Sequence, residues 1–139
     1  MFRTLKLTAI AGVFAVSGLI ANTVHAQGAD IQTTISSQIE ALKADDFAGA
    51  FEFASPSIKR IFGSSDVFGQ MVTQGYPMVS RPADVRYLDL AEIDGDLWQK
   101  VLIKDQQGRL HVLGYRMLET DMGWKINGVQ LLPQPDVAA

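Results

Sequence analysis

The 139-residue chain contains no cysteine, an absence that excludes disulfide staples, thiolate metal sites, a cysteine nucleophile and the lipidated cysteine of a lipoprotein. The hydrophobic core must hold without covalent help. Histidine is almost as scarce, with two in the sequence, His25 and His111, so few side chains titrate near neutrality. Basic residues are outnumbered, 12 Lys and Arg against 15 Asp and Glu, which argues against nucleic acid or an anionic membrane surface as partner. His25 and His111 stand far apart and, with scattered carboxylates, lack any metal-ligand spacing, and Asp94 and Asp96 lack the further ligands of a calcium loop. Neither a metal nor a cofactor is expected. Internal repeats and low-complexity segments are absent as well.

What is present begins with the amino end. Arg3 and Lys6 precede an apolar run from Leu7 to Ile20, and Val24-His25-Ala26 has the small-x-small form of a signal-peptidase site. A run of that length falls short of the roughly 20 residues that span a membrane. Residues 1–26 are therefore expected to be a secretory signal, the mature chain to begin at Gln27, and the product to be exported in soluble form to the periplasm or the medium. The remaining 113 residues carry ten basic and fifteen acidic side chains, a usual size for one domain, placed at residues 27–135 with a frayed tail at 136–139. No Arg-Arg pair stands near the start, so export of an unfolded chain disfavours a cofactor loaded in the cytoplasm.

The mature chain reads as a helical half followed by a strand half. Asp30 is placed to cap a helix whose stripe is Ile31, Ile35, Ile39 and Leu42, ending at Ala44-Asp45-Asp46. A second helix presents Phe47, Ala50, Phe51 and Ala54 on one face. Ser55-Pro56 opens a short third helix with Ile58, Ile61 and Phe62 inward and Gly63 as its stop; Ser64-Ser65-Asp66 opens a fourth with Val67, Phe68, Met71 and Val72 inward, closed by Gly75. From Ala83 the period becomes two. Strands are expected at 85–93, 97–104, 109–118 and 124–132, with turns at Asp94-Gly95-Asp96, Asp105 to Gly108 and Thr120 to Gly123, and with Gly128 inside the last strand. Helices followed by an antiparallel sheet make an α+β layout.

Taking Gly95-Asp96 and Asp105 to Gly108 as the loops sets Asp89 opposite Leu102 and Leu102 opposite His111. On this register Asp89 and His111 share a face about 10 Å apart, near enough for a substrate to bridge as acid and base. The same face collects Tyr87, Ala91, Ile93, Trp98, Leu102, Leu113 and Tyr115; the opposite one collects Leu88, Leu90, Val101, Ile103, Leu110 and Val112. Tyr87, Trp98, His111 and Tyr115 would give an aromatic surface with polar handles for a flat ligand. With both faces apolar and helices able to cover one, a homodimer through the sheet is expected. A one-residue slip in either hairpin would invert these assignments.

Three blocks carry a family resemblance: Ala44-Asp45-Asp46-Phe47 through Ser55-Pro56; Gly75-Tyr76-Pro77-Met78-Val79 with Arg81-Pro82; and Gly123-Trp124-Lys125-Ile126-Asn127-Gly128 through Pro133. Together they resemble a bacterial family known as domain of unknown function 4864. The resemblance implies a cone-shaped fold similar to nuclear transport factor 2 and the SnoaL-like enzymes, three or four helices against a curved four-stranded sheet, and it implies no activity. In such a cone Tyr76 would stand near the mouth and join the ligand-binding candidates. Fold alone does not choose among functions. The expected function is non-catalytic: small-ligand binding, homodimeric assembly, or both. An enzyme of isomerase, dehydratase or hydrolase type, working through His111 and Asp89, is the other reading.

Overall fold

The computed structural model describes residues 26–133. The expected signal, apart from Ala26, and the expected tail lie outside that span. Residues 26–30 are helical, so Asp30 sits inside helical backbone and is not the cap the sequence suggested. The chain from Ile31 onward forms a compact unit of its own, in which five helices pack on a four-stranded antiparallel sheet.

In α1 (31–43) the stripe Ile31, Ile35, Ile39 and Leu42 is buried as its spacing requires. Asp45 takes a left-handed backbone (φ 56°), which turns the chain out of α1, and Asp46 accepts from the Gly49 N–H to cap α2 (Phe47–Glu52). Ser55 caps α3 (Pro56–Phe62) and Ser64 caps α4 (Ser65–Gly75). Two inward assignments fail: Ile61 is 71% exposed and Val67 49%. Each lies next to a residue that does turn inward, Phe62 and Phe68, and a short helix has room for a narrow stripe only. Gly75 is followed by one more turn of helix, α5 (Pro77–Ser80), in the stretch between the fourth expected helix and the first expected strand. Proline at its first position favours this, because the missing N–H would be unpaired there anyway.

The sheet runs β1 (Asp84–Ile93), β2 (Asp96–Lys104), β3 (Leu110–Thr120) and β4 (Gly123–Leu132) in sequential order. Its register differs from the expected one in three ways. The first turn is Asp94-Gly95, both with positive φ (52° and 85°), the backbone of a two-residue hairpin that matches strand twist. The second connection is five residues, since Lys104 pairs with Leu110 and Ile103 with His111. A bulge between Tyr87 and Leu90 adds one residue to β1. Gln99, buried on β2, donates through Nε2 to the carbonyls of Leu88 (3.0 Å) and Asp89 (3.4 Å), satisfying groups that the bulge withdraws from the ladder.

These shifts redistribute the side chains. Tyr87, Val101 and Leu113 are cross-strand partners, as are Gln99 and Tyr115, and all face the helices. Ala91, Trp98, Lys100, Leu102, Gly114 and Arg116 lie on the other face. The continuous second apolar face expected from the sequence is therefore split. Tyr87, Leu113 and Tyr115 leave it for the core, and Trp98 and Leu102 remain among charged neighbours.

Candidate functional site

Two hydrogen-bonded fastenings stand out: one ties α3 to β4, and the other ties the end of α1 to Arg81 in the segment before β1. At the first, a bulge in β4 leaves Asn127 outside the ladder between Ile126 and Gly128. The Asn127 Oδ1 accepts from the Ser55 hydroxyl at 2.7 Å, and the same hydroxyl caps α3 by accepting from the Ile58 N–H. Backbone bonds from Ser55 to Ile126 and from Ile126 to Phe53 make a short parallel bridge beside it. At the second, the Arg81 guanidinium donates to both Asp45 carboxylate oxygens (2.8 and 3.0 Å) and to the last-turn carbonyl of Leu42 (3.1 Å). A planar fork suits this combined task, which a lysine could not perform.

Between these fastenings a cavity of about 250 Å³ opens among α1, α3, α4, α5 and the sheet. Leu42, Ile58, Phe62, Phe68, Met71, Val72, Val79, Ile126 and Val129 make its apolar wall, with Gln38, Tyr76 and Tyr115 as the polar side chains. Phe68 is held by Phe51 and Phe62, with ring centroids 5.4 and 5.7 Å away. Gln38 is engaged, donating to the Ala50 carbonyl at 3.2 Å. Tyr115 stands opposite Gln99 and Val129 in the middle of the sheet, is fully buried, and its hydroxyl has no hydrogen-bond partner among the described residues. Burial pushes its pKa well above the ordinary tyrosine value, and the Tyr87 and Tyr76 phenols act in the same direction. The phenol stays protonated at any physiological pH. Tyr87 is occupied elsewhere, bonded to the Ser36 hydroxyl and donating to the Gln32 carbonyl.

Of the five residues expected to line a ligand site, the structure brings Tyr76 and Tyr115 into one cavity wall. Tyr87 shares their face of the sheet. Trp98 is on the opposite face, its ring crossing Gly114, where an added Cβ would come within 3.2 Å of the indole. The pair Asp89 and His111 is separated likewise. Asp89 approaches Lys100 at 3.8 Å beside Trp98 on the outer face, whereas His111 pairs with Ile103 on the helix face, so they cannot act together on one substrate. The slipped second hairpin and the β1 bulge are the cause.

His111 finds a partner the sequence reading passed over. Its Nε2 lies 2.9 Å from Asp105 Oδ2, while Oδ1 accepts the backbone N–H groups of Gln107 and Arg109, each at 2.9 Å. The Asp105 pKa is held below the usual carboxylate range, first by the His111 hydrogen bond and then by those two N–H groups. This carboxylate organises the β2–β3 turn. An Asp at the first turn position, with a histidine three residues past a turn glycine, is the signal that could have found it. A depressed acid contributes stability that is present above its unfolded value, near 3.8, and lost as pH falls through its lower folded value. Thermal melts between pH 6 and 2 should therefore show an acid limb that Asp105→Asn flattens; an unchanged limb would remove Asp105 from the account.

Beside this turn is a groove bounded by Thr73, Met78, Arg81, Arg109 and His111. The described residues hold no cluster of three or more metal-ligating side chains, and none of their helices is long and apolar enough to cross a membrane.

No curated protein and no solved structure matches the chain. A family model does, over residues 24–139, a span containing the whole helical half, the sheet and both fastenings. The chain belongs to the domain of unknown function family DUF4864.

Proposed function

We propose that the chain is an exported, non-catalytic binding module with a nuclear transport factor 2-like architecture, holding a small apolar molecule between its helices and its sheet. The cavity carries this reading. Protein interiors pack to crystal-like density, so a recess between helices and sheet that is open to solvent on one side and walled almost wholly by apolar side chains is a place an apolar molecule would fill. At about 250 Å³ the space exceeds the roughly 150 Å³ that accommodates benzene in an engineered apolar cavity. It suits a one- or two-ring molecule or a short chain. Neither a carboxylate nor a histidine lines it, so general acid–base chemistry has no ordinary titrating group there. Helices followed by a four-stranded antiparallel meander support the fold reading, and Arg3, Lys6, the apolar run and Val24-His25-Ala26 support export.

Calorimetric titration with ethylbenzene and naphthalene should give saturable one-to-one uptake with a negative heat-capacity change. Val129→Trp, which projects bulk into the cavity wall, should abolish it while the protein still melts cooperatively. Absence of saturable uptake of either hydrocarbon by the wild-type protein would defeat the proposal.

A further inference from the structure

We propose that the groove beside the β2–β3 turn is a second binding site, taking a small organic acid whose carboxylate lies against Arg109 and whose neighbouring hydroxyl donates to His111 Nδ1. It shares no lining residue with the apolar cavity. The groove, about 470 Å³ in volume, runs between that turn and Thr73, Pro77 and Met78 of α4 and α5. Gln106 holds the turn to the segment before β1, its Nε2 donating to the carbonyls of Arg81 (3.2 Å) and Pro82 (3.3 Å).

One carboxylate oxygen assembles the site. Asp105 Oδ2 takes both His111 Nε2, at 2.9 Å, and Arg109 Nε, at 3.3 Å, so an imidazole and a guanidinium are held side by side. Asp105 is ionised at neutral pH, its pKa lowered first by the His111 hydrogen bond, and an ionised carboxylate only accepts. Nε2 is therefore the donor, which leaves the neutral ring with its lone pair on Nδ1. Among the described residues no hydrogen bond reaches Nδ1, and the buried side-chain polar atoms left unpartnered there are Tyr115 Oη and Arg116 Nε alone. Nδ1 is thus an accessible acceptor, on a side chain 25% exposed. Arg109 is engaged through Nε and is 74% exposed, so its terminal nitrogens remain available to an anion.

The ligand's chemistry follows from this pairing of a cation with an acceptor. Arg81 adds no free charge, because Asp45 engages its guanidinium, so the groove suits a single anionic group. Phosphate and sulfate present mainly acceptor oxygens and would meet the Nδ1 lone pair. A neutral alcohol would leave Arg109 unused. A 2-hydroxy acid answers both groups, and Pro77 and Met78 offer its apolar substituent a surface.

Mandelate, phenylacetate and methyl mandelate share a ring and differ in the two groups at issue. Wild-type protein should bind mandelate saturably, phenylacetate about 3–10-fold more weakly for want of one hydrogen bond, and methyl mandelate about 2–5-fold more weakly, as for an exposed ion pair. Arg109→Gln, at an exposed position, should weaken both acids alike and keep the preference for the hydroxyl; His111→Phe should abolish that preference. His25→Gln leaves His111 as the one histidine, so its ring nitrogens can be followed by nitrogen NMR with the binding groups intact. At about pH 8 the Nδ1 signal should be that of an unprotonated nitrogen and should move upfield as mandelate saturates. Equal affinities of the wild type for mandelate and phenylacetate, no saturable uptake of mandelate, or an Nδ1 signal that mandelate leaves in place would overturn the site.

Discussion

Replacing Leu113 by alanine is expected to destabilise the domain by about 2–5 kcal/mol, whereas Leu102→Ala should cost under about 1 kcal/mol. The two leucines sit on neighbouring strands, one pairing position apart along the β2–β3 ladder, and the simplest reading of the hairpins would place them on one face. They are on opposite faces. Leu113 is fully buried and belongs to the core formed with Val101, Ile103, Tyr115 and the α1 stripe, so its removal deletes methyl groups from a packed site and leaves a void the central strand cannot close. Leu102 pairs with Arg86 and Val112 on the face away from the helices and remains partly accessible, so truncating it mostly exchanges one partly wet surface for another. Chemical denaturation of the two variants, compared at constant m-value, reads the difference directly. Equal losses would mean that the five-residue connection between Lys104 and Leu110 is wrong and the register has slipped.

Gly69→Val should cost about 1–3 kcal/mol, and more if Phe47 cannot move aside. Gly69 lies in the buried face of α4, and the Phe47 ring of α2 rests directly on its Cα, so that any Cβ added there would overlap the ring. Helix propensity alone argues the other way, since valine is a better helix former than glycine by a few tenths of a kcal/mol. Steric overlap wins because the obstacle is the ring's near edge, attached to a capped helix start, and not the far end of a flexible side chain. Gly75, at the last position of the same helix, has open space around its would-be Cβ. Gly75→Ala is therefore expected to be neutral or stabilising by up to about 1 kcal/mol. Thermal melts of the pair separate crowding from propensity, and a wild-type melting temperature for Gly69→Val would show that Phe47 is not seated on α4. Because α4 supplies Phe68, Met71 and Val72 to the cavity wall, the valine variant should also weaken hydrocarbon uptake.

The α+β class, the starts of α2, α3 and α4 and the strand order were determined by local chemistry. Ser55 before Pro56, Ser64 before an apolar run, and glycines at Gly63 and Gly95 act within a few residues, through capping hydroxyls and backbone φ. The three-to-four-residue rhythm of Ile31, Ile35, Ile39 and Leu42 is likewise a property of one helix. Tyr76 and Tyr115 were legible as candidates for one cavity wall for a related reason: a phenol among apolar residues is a large surface with one polar end. Which side chains meet was decided only in three dimensions. A strand's faces alternate with a period of two, so one residue more in the β2–β3 connection and a bulge in β1 carried His111, Leu113, Tyr87 and Tyr115 to the helix side and left Asp89 and Trp98 behind. Nothing local marks that bulge. It is satisfied by Gln99 from the neighbouring strand, and Tyr115 gains its isolation from helices more than forty residues away. Contacts of that range are fixed by packing the whole domain at once, and so the cavity and the buried Tyr115 hydroxyl, unpaired among the described residues, belong to the tertiary structure, while the sequence determined the elements that enclose them.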